Sequence, residues 1–135
     1  MGRWPILGRD PLTIADTGHN EAGLTYNMAQ LRQLIASKPT GARLRMVIGF
    51  VADKDIDNIL SLFPTDADSY LTQAAIPRAL AAEQLAERAA AHGLHGRTFQ
   101  TVPEAVAAAN ADAAADDIIY IGGSTFVVAD HLAAQ

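Results

Sequence analysis

The chain has 135 residues, a net charge of −5 at pH 7 and no cysteine, and half of its residues are hydrophobic. This length suffices for one domain with its own core, while the lack of cysteine excludes disulfides, thiolate metal sites and cysteine nucleophiles. A mildly acidic chain without a basic stripe is a poor binder of nucleic acid. No apolar run reaches the roughly 18 residues that span a membrane, and the first residues lack a signal-peptide pattern, so we expect a cytoplasmic protein.

Apolar runs alternate with segments of helical periodicity or composition along the whole chain. The runs predict strands over residues 4–7, 12–15, 44–51, 69–72, 96–100 and 117–121. The other segments predict helices over residues 21–36, 56–63, 79–91, 102–115 and 125–132. This alternation is typical of βαβ units. We therefore predict an α/β, Rossmann-like three-layer fold, with a mostly parallel sheet of five to six strands flanked by helices, and a single domain over residues 1–135.

Local signals add detail at the ends of these elements. The first two strands are close enough to pair as a hairpin, or to form a short edge strand beside a core strand. Asn20 is a good N-cap for the first helix, and Gly93 is a good C′ residue for the third. Thr101 and Glu104 have the spacing of a capping box at the start of the fourth helix.

Polar or glycine-rich positions follow four of the predicted strands. They are Asp16 with His19, Asp53 with Lys54 and Asp55, Thr72, and Gly122-Gly123-Ser124. Because the carboxyl ends of parallel strands share one edge of the sheet, and ligands bind there in open α/β folds, these positions should converge on a ligand site.

Each of these positions also has an ordinary structural interpretation. Asp16 can cap the turn that follows it or bind a ribose hydroxyl, and we favour the second. His19, beside Asp16 and a helix N-terminus, is a candidate contact for a carboxylate or phosphate. Spacing alone favours a solvated loop for residues 53–55, a common turn for residues 122–124 and a frayed end for Arg3.

Self-sufficient catalytic motifs are absent from the sequence. It has no G-x-x-x-x-G-K-[ST] loop, no G-x-G-x-x-G after a strand and no G-x-S-x-G elbow. His92 and His95 lack the spacing and acidic neighbours of a metal site, and His131 is uninformative. The sequence therefore offers ligand-site candidates, but no catalytic residue that stands alone.

As an ordered set, the motifs resemble the C-terminal domain of folylpolyglutamate synthase/dihydrofolate synthase, a branch of the Mur ligase superfamily. The resemblance covers nearly the whole chain. Residues 2–3 resemble the Gly-Arg that opens this domain, residues 16–22 its D-x-A-H-N-P block and residues 49–55 its G-x-x-x-D-K-D block. Residues 76–80 resemble its P-R-A segment and residues 122–124 its late G-S motif. Gly18 replaces the usual Ala and Glu21 the usual Pro.

The resemblance implies an ATP-dependent acid–amino-acid ligase that adds L-glutamate to dihydropteroate or folyl(poly)glutamate through an acyl phosphate. It implies that Arg3 contacts the phosphates of ATP and that Asp16 binds the nucleotide at its ribose. His19 and Ser124 would place the incoming glutamate. A neighbouring loop without an assigned role would comprise Asp53, Lys54 and Asp55.

The resemblance further implies that the chain is part of a longer, monomeric ligase. The phosphate-binding loop, the Mg²⁺ ligands and most of the folate site would belong to a central domain that precedes it. We therefore expect the 135 residues to fold without catalysing the reaction. Two alternatives stay open: the C-terminal domain of a peptidoglycan Mur ligase acting on a UDP-linked muramyl peptide, and a non-catalytic Rossmann-like binding module.

Overall fold

The computed structural model of the protein describes residues 6–9, 11–17, 21–39, 41–52 and 55–134. Within these ranges the strands are β1 Ile6–Gly8, β2 Leu12–Ala15, β3 Leu44–Ile48, β4 Asp68–Leu71, β5 Gly96–Thr98 and β6 Ile118–Gly122. The helices are α1 Glu21–Ala36, α2 Ile56–Leu60, α3 Ala82–Ala90, α4 Val102–Asp112 and α5 Thr125–Ala133. Every predicted strand and helix is thus present, with differences at the ends.

The six strands form one sheet in the order β1-β2-β6-β3-β4-β5. The pairs β2–β6, β6–β3, β3–β4 and β4–β5 are parallel, whereas β1 pairs with β2 in an antiparallel hairpin. This arrangement confirms the predicted mostly parallel α/β sheet. It also confirms both interpretations of the first strands, because they pair as a hairpin in which β1 is a short edge strand beside the inner strand β2. None of the helices in the described ranges is long and apolar enough to cross a membrane.

Because successive side chains of a strand point to opposite faces of the sheet, the strands contribute to two hydrophobic layers, one on each face. On the first face, the apolar sides of α1, α2 and α3 pack against Ile14, Met46 and Tyr120. On the second face, α4 and α5 pack against Val47 and Ile121. Since β6 is buried on both faces and lies between β2 and β3, the centre of the core is at β6.

The third strand is shorter than predicted, and the third helix begins later. β3 ends at Ile48, after which Leu80 donates a backbone hydrogen bond to the Phe50 carbonyl and Val51 forms an isolated antiparallel bridge with Ala79. The segment before α3 is therefore extended where its composition predicts helix, because its backbone is paired with the chain that follows β3.

The fourth helix ends at Asp112, three residues before the predicted end at 115. Ala113 is extended, and the next residue donates its N–H to the Asp117 carboxylate at 2.9 Å. The helix ends here because this buried carboxylate takes the N–H of Ala114 out of the helical hydrogen-bond pattern. At the other end, Thr101 caps the helix as predicted, accepting from the N–H of Glu104 at 3.3 Å.

Candidate functional site

The five parallel strands end almost level, and the residues that follow them form what we call the carboxyl edge: Asp16, Gly49, Thr72, Phe99 and the segment from Gly122 to Ser124. Each strand end is tied to its neighbour through backbone hydrogen bonds. Asp16 donates its N–H to the Ile121 carbonyl at 2.9 Å, and Thr72 donates to the Ile48 carbonyl at 2.9 Å. The predicted convergence of these positions on one edge is therefore present for the residues that the structure describes.

Asp16 is the buried acid of the carboxyl edge, with 3% of its surface exposed. The Asn27 amide donates to both of its carboxylate oxygens, at 3.1 Å to Oδ1 and 3.0 Å to Oδ2. The Tyr120 hydroxyl donates to Oδ2 at 2.8 Å. Burial of a carboxylate costs free energy unless hydrogen-bond donors surround it. The contacts with Asn27 and Tyr120 therefore offset the cost of burying Asp16 at the end of β2.

Tyr120 reaches Asp16 from inside the core. Its ring is fully buried and packs edge-on against Phe63 at 6.1 Å, and Phe63 packs in the same way against Phe50 at 6.2 Å. Burial raises the pKa of Tyr120 well above its usual value, and the Asp16 carboxylate raises it further. The hydroxyl therefore stays protonated at neutral pH and can only donate to this carboxylate.

The glycine pair at the end of β6, Gly122 and Gly123, is required by packing. A Cβ on Gly122 would lie 2.6 Å from the Tyr120 hydroxyl. Gly123 has φ +95°, and a Cβ there would lie 2.5 Å from the Gly49 carbonyl oxygen. These distances are too short for any side chain, so the two glycines let β6 turn closely past β3 and the aromatic core.

Ser124, the second described candidate, is buried at the start of α5. It is the N-cap residue of this helix, and its hydroxyl accepts from the Val127 N–H at 3.3 Å. Because β6 lies beside β2, Ser124 and Asp16 leave neighbouring strands at the same edge. The hydroxyl thus already has a capping function, beside a helix N-terminus that favours negative charge.

The remaining candidates fall into two groups. Thr72 is fully buried and donates its hydroxyl to the Phe99 carbonyl at 3.1 Å, and Asp55 is exposed, with Oδ2 accepting from Asn58 at 2.6 Å. These contacts give both residues a structural explanation. Outside the described residues lie Arg3, His19, Asn20, Asp53 and Lys54.

A dense ionic network lies at the opposite end of the sheet, which we call the amino edge: Arg43, Arg45, Asp68, Tyr70, Arg97, Asp112 and Asp117. At its centre Arg45 donates to Asp117 at 2.9 Å, to Asp68 at 3.2 Å and to the Tyr70 hydroxyl at 3.0 Å. Tyr70 donates onward to Asp112 at 2.8 Å. The network borders a shallow cavity of about 290 Å³, and its charges satisfy one another.

The contacts of Asp16 were not predicted from the sequence. Asn27 stands between apolar positions of α1, and Tyr120 interrupts an otherwise aliphatic strand. Polar groups placed in this way need partners when buried, and that requirement was the available signal. The partner itself could not be named, since it lies 11 residues from Asn27 and 104 residues from Tyr120.

The three histidines that the structure describes lie in different surroundings. His92 is half-buried and lies 3.1 Å from Asp57 on α2, whereas His95 is exposed. His131 is buried on α5, and this burial lowers its pKa. Across the described ranges, no group of three or more His, Asp or Glu side chains is arranged to hold a metal ion.

The chain is similar in sequence to known proteins over almost its whole length. Residues 2–125 match the family described as Mur ligase, glutamate ligase domain. Over 129 residues the chain is 35% identical to the dihydrofolate synthase/folylpolyglutamate synthase of Escherichia coli (strain K12). That alignment covers 95% of the chain and 29% of the E. coli protein.

Solved structures give the same result for the fold. E. coli FolC in complex with DHPP and ADP has a TM-score of 0.84 at 33% identity, covering 98% of this chain and 30% of that chain. A bifunctional folylpolyglutamate synthase/dihydrofolate synthase with Mn, AMPPNP and L-glutamate bound has a TM-score of 0.83 at 32% identity, covering 98% and 31%. The chain thus spans less than a third of the length of each of these proteins.

Proposed function

The chain belongs to the Mur ligase family, in which it matches the glutamate ligase domain, and we propose that it is the C-terminal nucleotide- and glutamate-binding domain of an ATP-dependent folate ligase. The observation that carries the proposal is the position of Asp16 and Ser124 on neighbouring strands at the carboxyl edge. The relatives in which ADP, AMPPNP and L-glutamate are bound have the same fold over 98% of the chain.

In the proposed reaction, ATP phosphorylates the carboxylate of dihydropteroate or of the terminal glutamate of a folate. The amine of the incoming glutamate attacks the acyl phosphate, a tetrahedral intermediate forms, and phosphate leaves. Activation of the carboxylate makes the leaving group a good one, so the remaining task of the protein is to hold the amine beside it. This domain contributes to that positioning.

Asp16 is assigned to the ribose of ATP. An ionised carboxylate accepts hydrogen bonds from hydroxyl groups, and Asn27 and Tyr120 hold this carboxylate at the end of β2. Arg3 is assigned to the nucleotide phosphates, where a guanidinium would stabilise the charge of the transferring group; this assignment rests on the resemblance alone.

Ser124 and His19 are assigned to the incoming glutamate. The hydroxyl of Ser124 accepts one hydrogen bond from α5 and keeps its own proton to donate. A carboxylate beside it would also benefit from the N-terminal end of the helix dipole. His19 rests on the resemblance, as does the placement of Asp53, Lys54 and Asp55 in a loop near the site.

The described residues fit a ribose contact better than a cradle for phosphate. Gly122 and Gly123 approach Tyr120 and Gly49 so closely that they serve packing, and Ser124 caps the first turn of α5. On the resemblance, we assign the phosphate-binding loop and the ligands of Mg²⁺ to a central domain that precedes this one, with Arg3 as the contribution of this chain to the phosphates. When bound, the metal would neutralise phosphate charge during transfer.

The substrate requirement of the intact ligase that carries this chain tests the proposed reaction. We expect phosphate release that requires ATP, L-glutamate and dihydropteroate or a folate together. Turnover of a UDP-muramyl peptide instead would identify the peptidoglycan branch. Absence of any glutamate-dependent ATP hydrolysis would favour a binding module and contradict the proposal.

Variants of the same enzyme test the residue assignments. Because glutamate and ATP are bound by different residues, His19→Ala should mainly raise KM for glutamate, and Arg3→Ala should mainly raise KM for ATP. Wild-type kinetics in both variants would contradict the assignments without contradicting the family.

The purified chain alone provides a second test. We expect it to fold and to show no ligase activity, since the phosphate-binding loop and metal ligands are assigned elsewhere. Glutamate-dependent ATP hydrolysis by these residues alone would contradict that assignment.

A further inference from the structure

Two side chains from distant parts of the sequence meet at the Asp16 carboxylate. Asn27 lies in the second turn of α1 and donates to both carboxylate oxygens, and Tyr120 lies in the middle of β6 and donates to Oδ2. Asp16 itself is 3% exposed. The carboxylate is therefore held in a fixed orientation by a helix and by the central strand of the sheet.

Each of these features has a cost that a simple cap would not require. Asn lowers helix stability relative to an aliphatic residue, and Asn27 stands on α1 between buried Leu24 and Met28. The Tyr120 hydroxyl is fully buried, and it restricts position 122 to glycine. A threonine or serine could cap a turn without an asparagine in the helix and without a buried tyrosine hydroxyl. The arrangement therefore favours a function in which the orientation of the Asp16 carboxylate matters.

On the premise of the proposed function, in which Asp16 contacts the ribose of ATP, we infer that Asn27 and Tyr120 are positioning residues that aim its carboxylate at the ribose hydroxyls. A group that is already oriented loses less freedom on binding, and hydrogen bonds to it retain more of their strength. Loss of either donor would let the carboxylate rotate away from the sugar.

The inference predicts a specific loss of discrimination between nucleotides. We would measure kcat/KM of the intact ligase with ATP and with 2′,3′-dideoxy-ATP at saturating glutamate and folate substrate. Hydrogen bonds to an ionised carboxylate correspond to a preference of about tenfold or more for ATP. In Asn27→Ala and in Tyr120→Phe we expect this preference to fall to about threefold or less, through a higher KM for ATP at nearly unchanged kcat.

Tyr70→Phe is the matched control, because Tyr70 is also buried and also donates its hydroxyl to an aspartate, but at the amino edge. It should lose stability as Tyr120→Phe does and keep the full preference for ATP. A preserved preference in both Asn27→Ala and Tyr120→Phe would overturn the inference and leave the proposed function intact. A wild-type enzyme that uses both nucleotides equally would instead refute the ribose assignment of Asp16, and the inference with it.

Discussion

Each end of the sheet holds a buried aspartate, and the groups that donate hydrogen bonds to the two carboxylates differ. At the amino edge Asp117 accepts from the Arg45 guanidinium at 2.9 Å and from the backbone N–H groups of Arg43 and Ala114. At the carboxyl edge Asp16 accepts from an amide and a phenol. The amino edge neutralises its acid with a cation of the same chain, as a structural ion pair does.

The surroundings of the two acids differ as well. Around Asp117, opposite charges stand across the strands, with Arg45 in register with Asp68 on the neighbouring strand. Around Asp16 stand close-packed glycines and a helix N-terminus. A site that must receive a ligand needs backbone that comes close and donors that are oriented, whereas a structural edge needs balanced charge. The contrast assigns a structural role to the amino edge and, on the proposed function, ligand recognition to the carboxyl edge.

The largest expected effect tests the close packing of the carboxyl edge. Gly123→Ala adds a Cβ at φ +95° and 2.5 Å from the Gly49 carbonyl oxygen, so it should destabilise the chain by about 3 kcal/mol or more, combining backbone strain with a steric clash. Gly41→Ala is the matched control near the amino edge, with φ +96° and no atom within 4 Å. It should cost about 1 kcal/mol in urea unfolding. Equal losses would show that Gly123 matters only for its backbone angle.

The next effect tests the charge balance of the amino edge. Arg45→Ala leaves the Asp117 carboxylate, of which 2% is exposed, without its guanidinium. Because two backbone donors remain, we expect a loss of about 2–3 kcal/mol, below the range for a fully buried pair. Arg43→Ala removes an exposed ion pair with Asp68 and should cost about 0.5 kcal/mol in the same denaturation experiment. A loss for Arg45→Ala as small as that for Arg43→Ala would contradict a structural role for the network.

Much of this contrast could not be predicted from the sequence, although the fold could. Periodicity gave the elements, and the parallel sheet gave the edge at which Asp16 and Ser124 lie. The partners of Asp16 depend on the register of β2 with β6, where Ile14 stands beside Tyr120. That register is a tertiary property, and nothing near Asp16 in the sequence encodes it.

The ionic network at the amino edge could not be predicted for the same reason. Arg45 appears in the sequence as a lone interruption of an apolar run, and its partner Asp117 lies 72 residues away. The glycine pair was identified only as a turn, because the Tyr120 hydroxyl that excludes a side chain at Gly122 belongs to the folded core. Local sequence patterns thus predict the strands and helices and the edge at which a residue lies. Contacts between an edge and the core can be predicted only when the register of the strands is known.

A smaller effect separates recognition from helix capping at the carboxyl edge. Ser124→Ala and Thr101→Ala each remove an N-cap hydroxyl, from α5 and α4, and each should cost about 1 kcal/mol of stability. Only Ser124 follows the strand beside β2. In the intact ligase, Ser124→Ala should therefore raise KM for glutamate several-fold, and Thr101→Ala should leave it unchanged. Parallel changes in the two variants would indicate that both residues act only as caps.

The smallest expected effect is the acid sensitivity of the amino edge. Burial raises the pKa of Asp117, but hydrogen bonds from the backbone N–H groups of Arg43 and Ala114 and from the Arg45 side chain outweigh it, so the pKa lies below its usual value. An aspartate with a lowered pKa stabilises the fold above its unfolded pKa of about 3.9, and this stabilisation is lost as the pH falls further. Because burial opposes these hydrogen bonds, we expect the urea midpoint to fall only slightly between pH 5 and pH 3 on its account. Asp117→Asn should make this part of the pH profile flatter. A profile of the same slope in the variant would mean that other carboxylates carry the acid sensitivity, and that the amino edge stabilises the chain through geometry more than through charge.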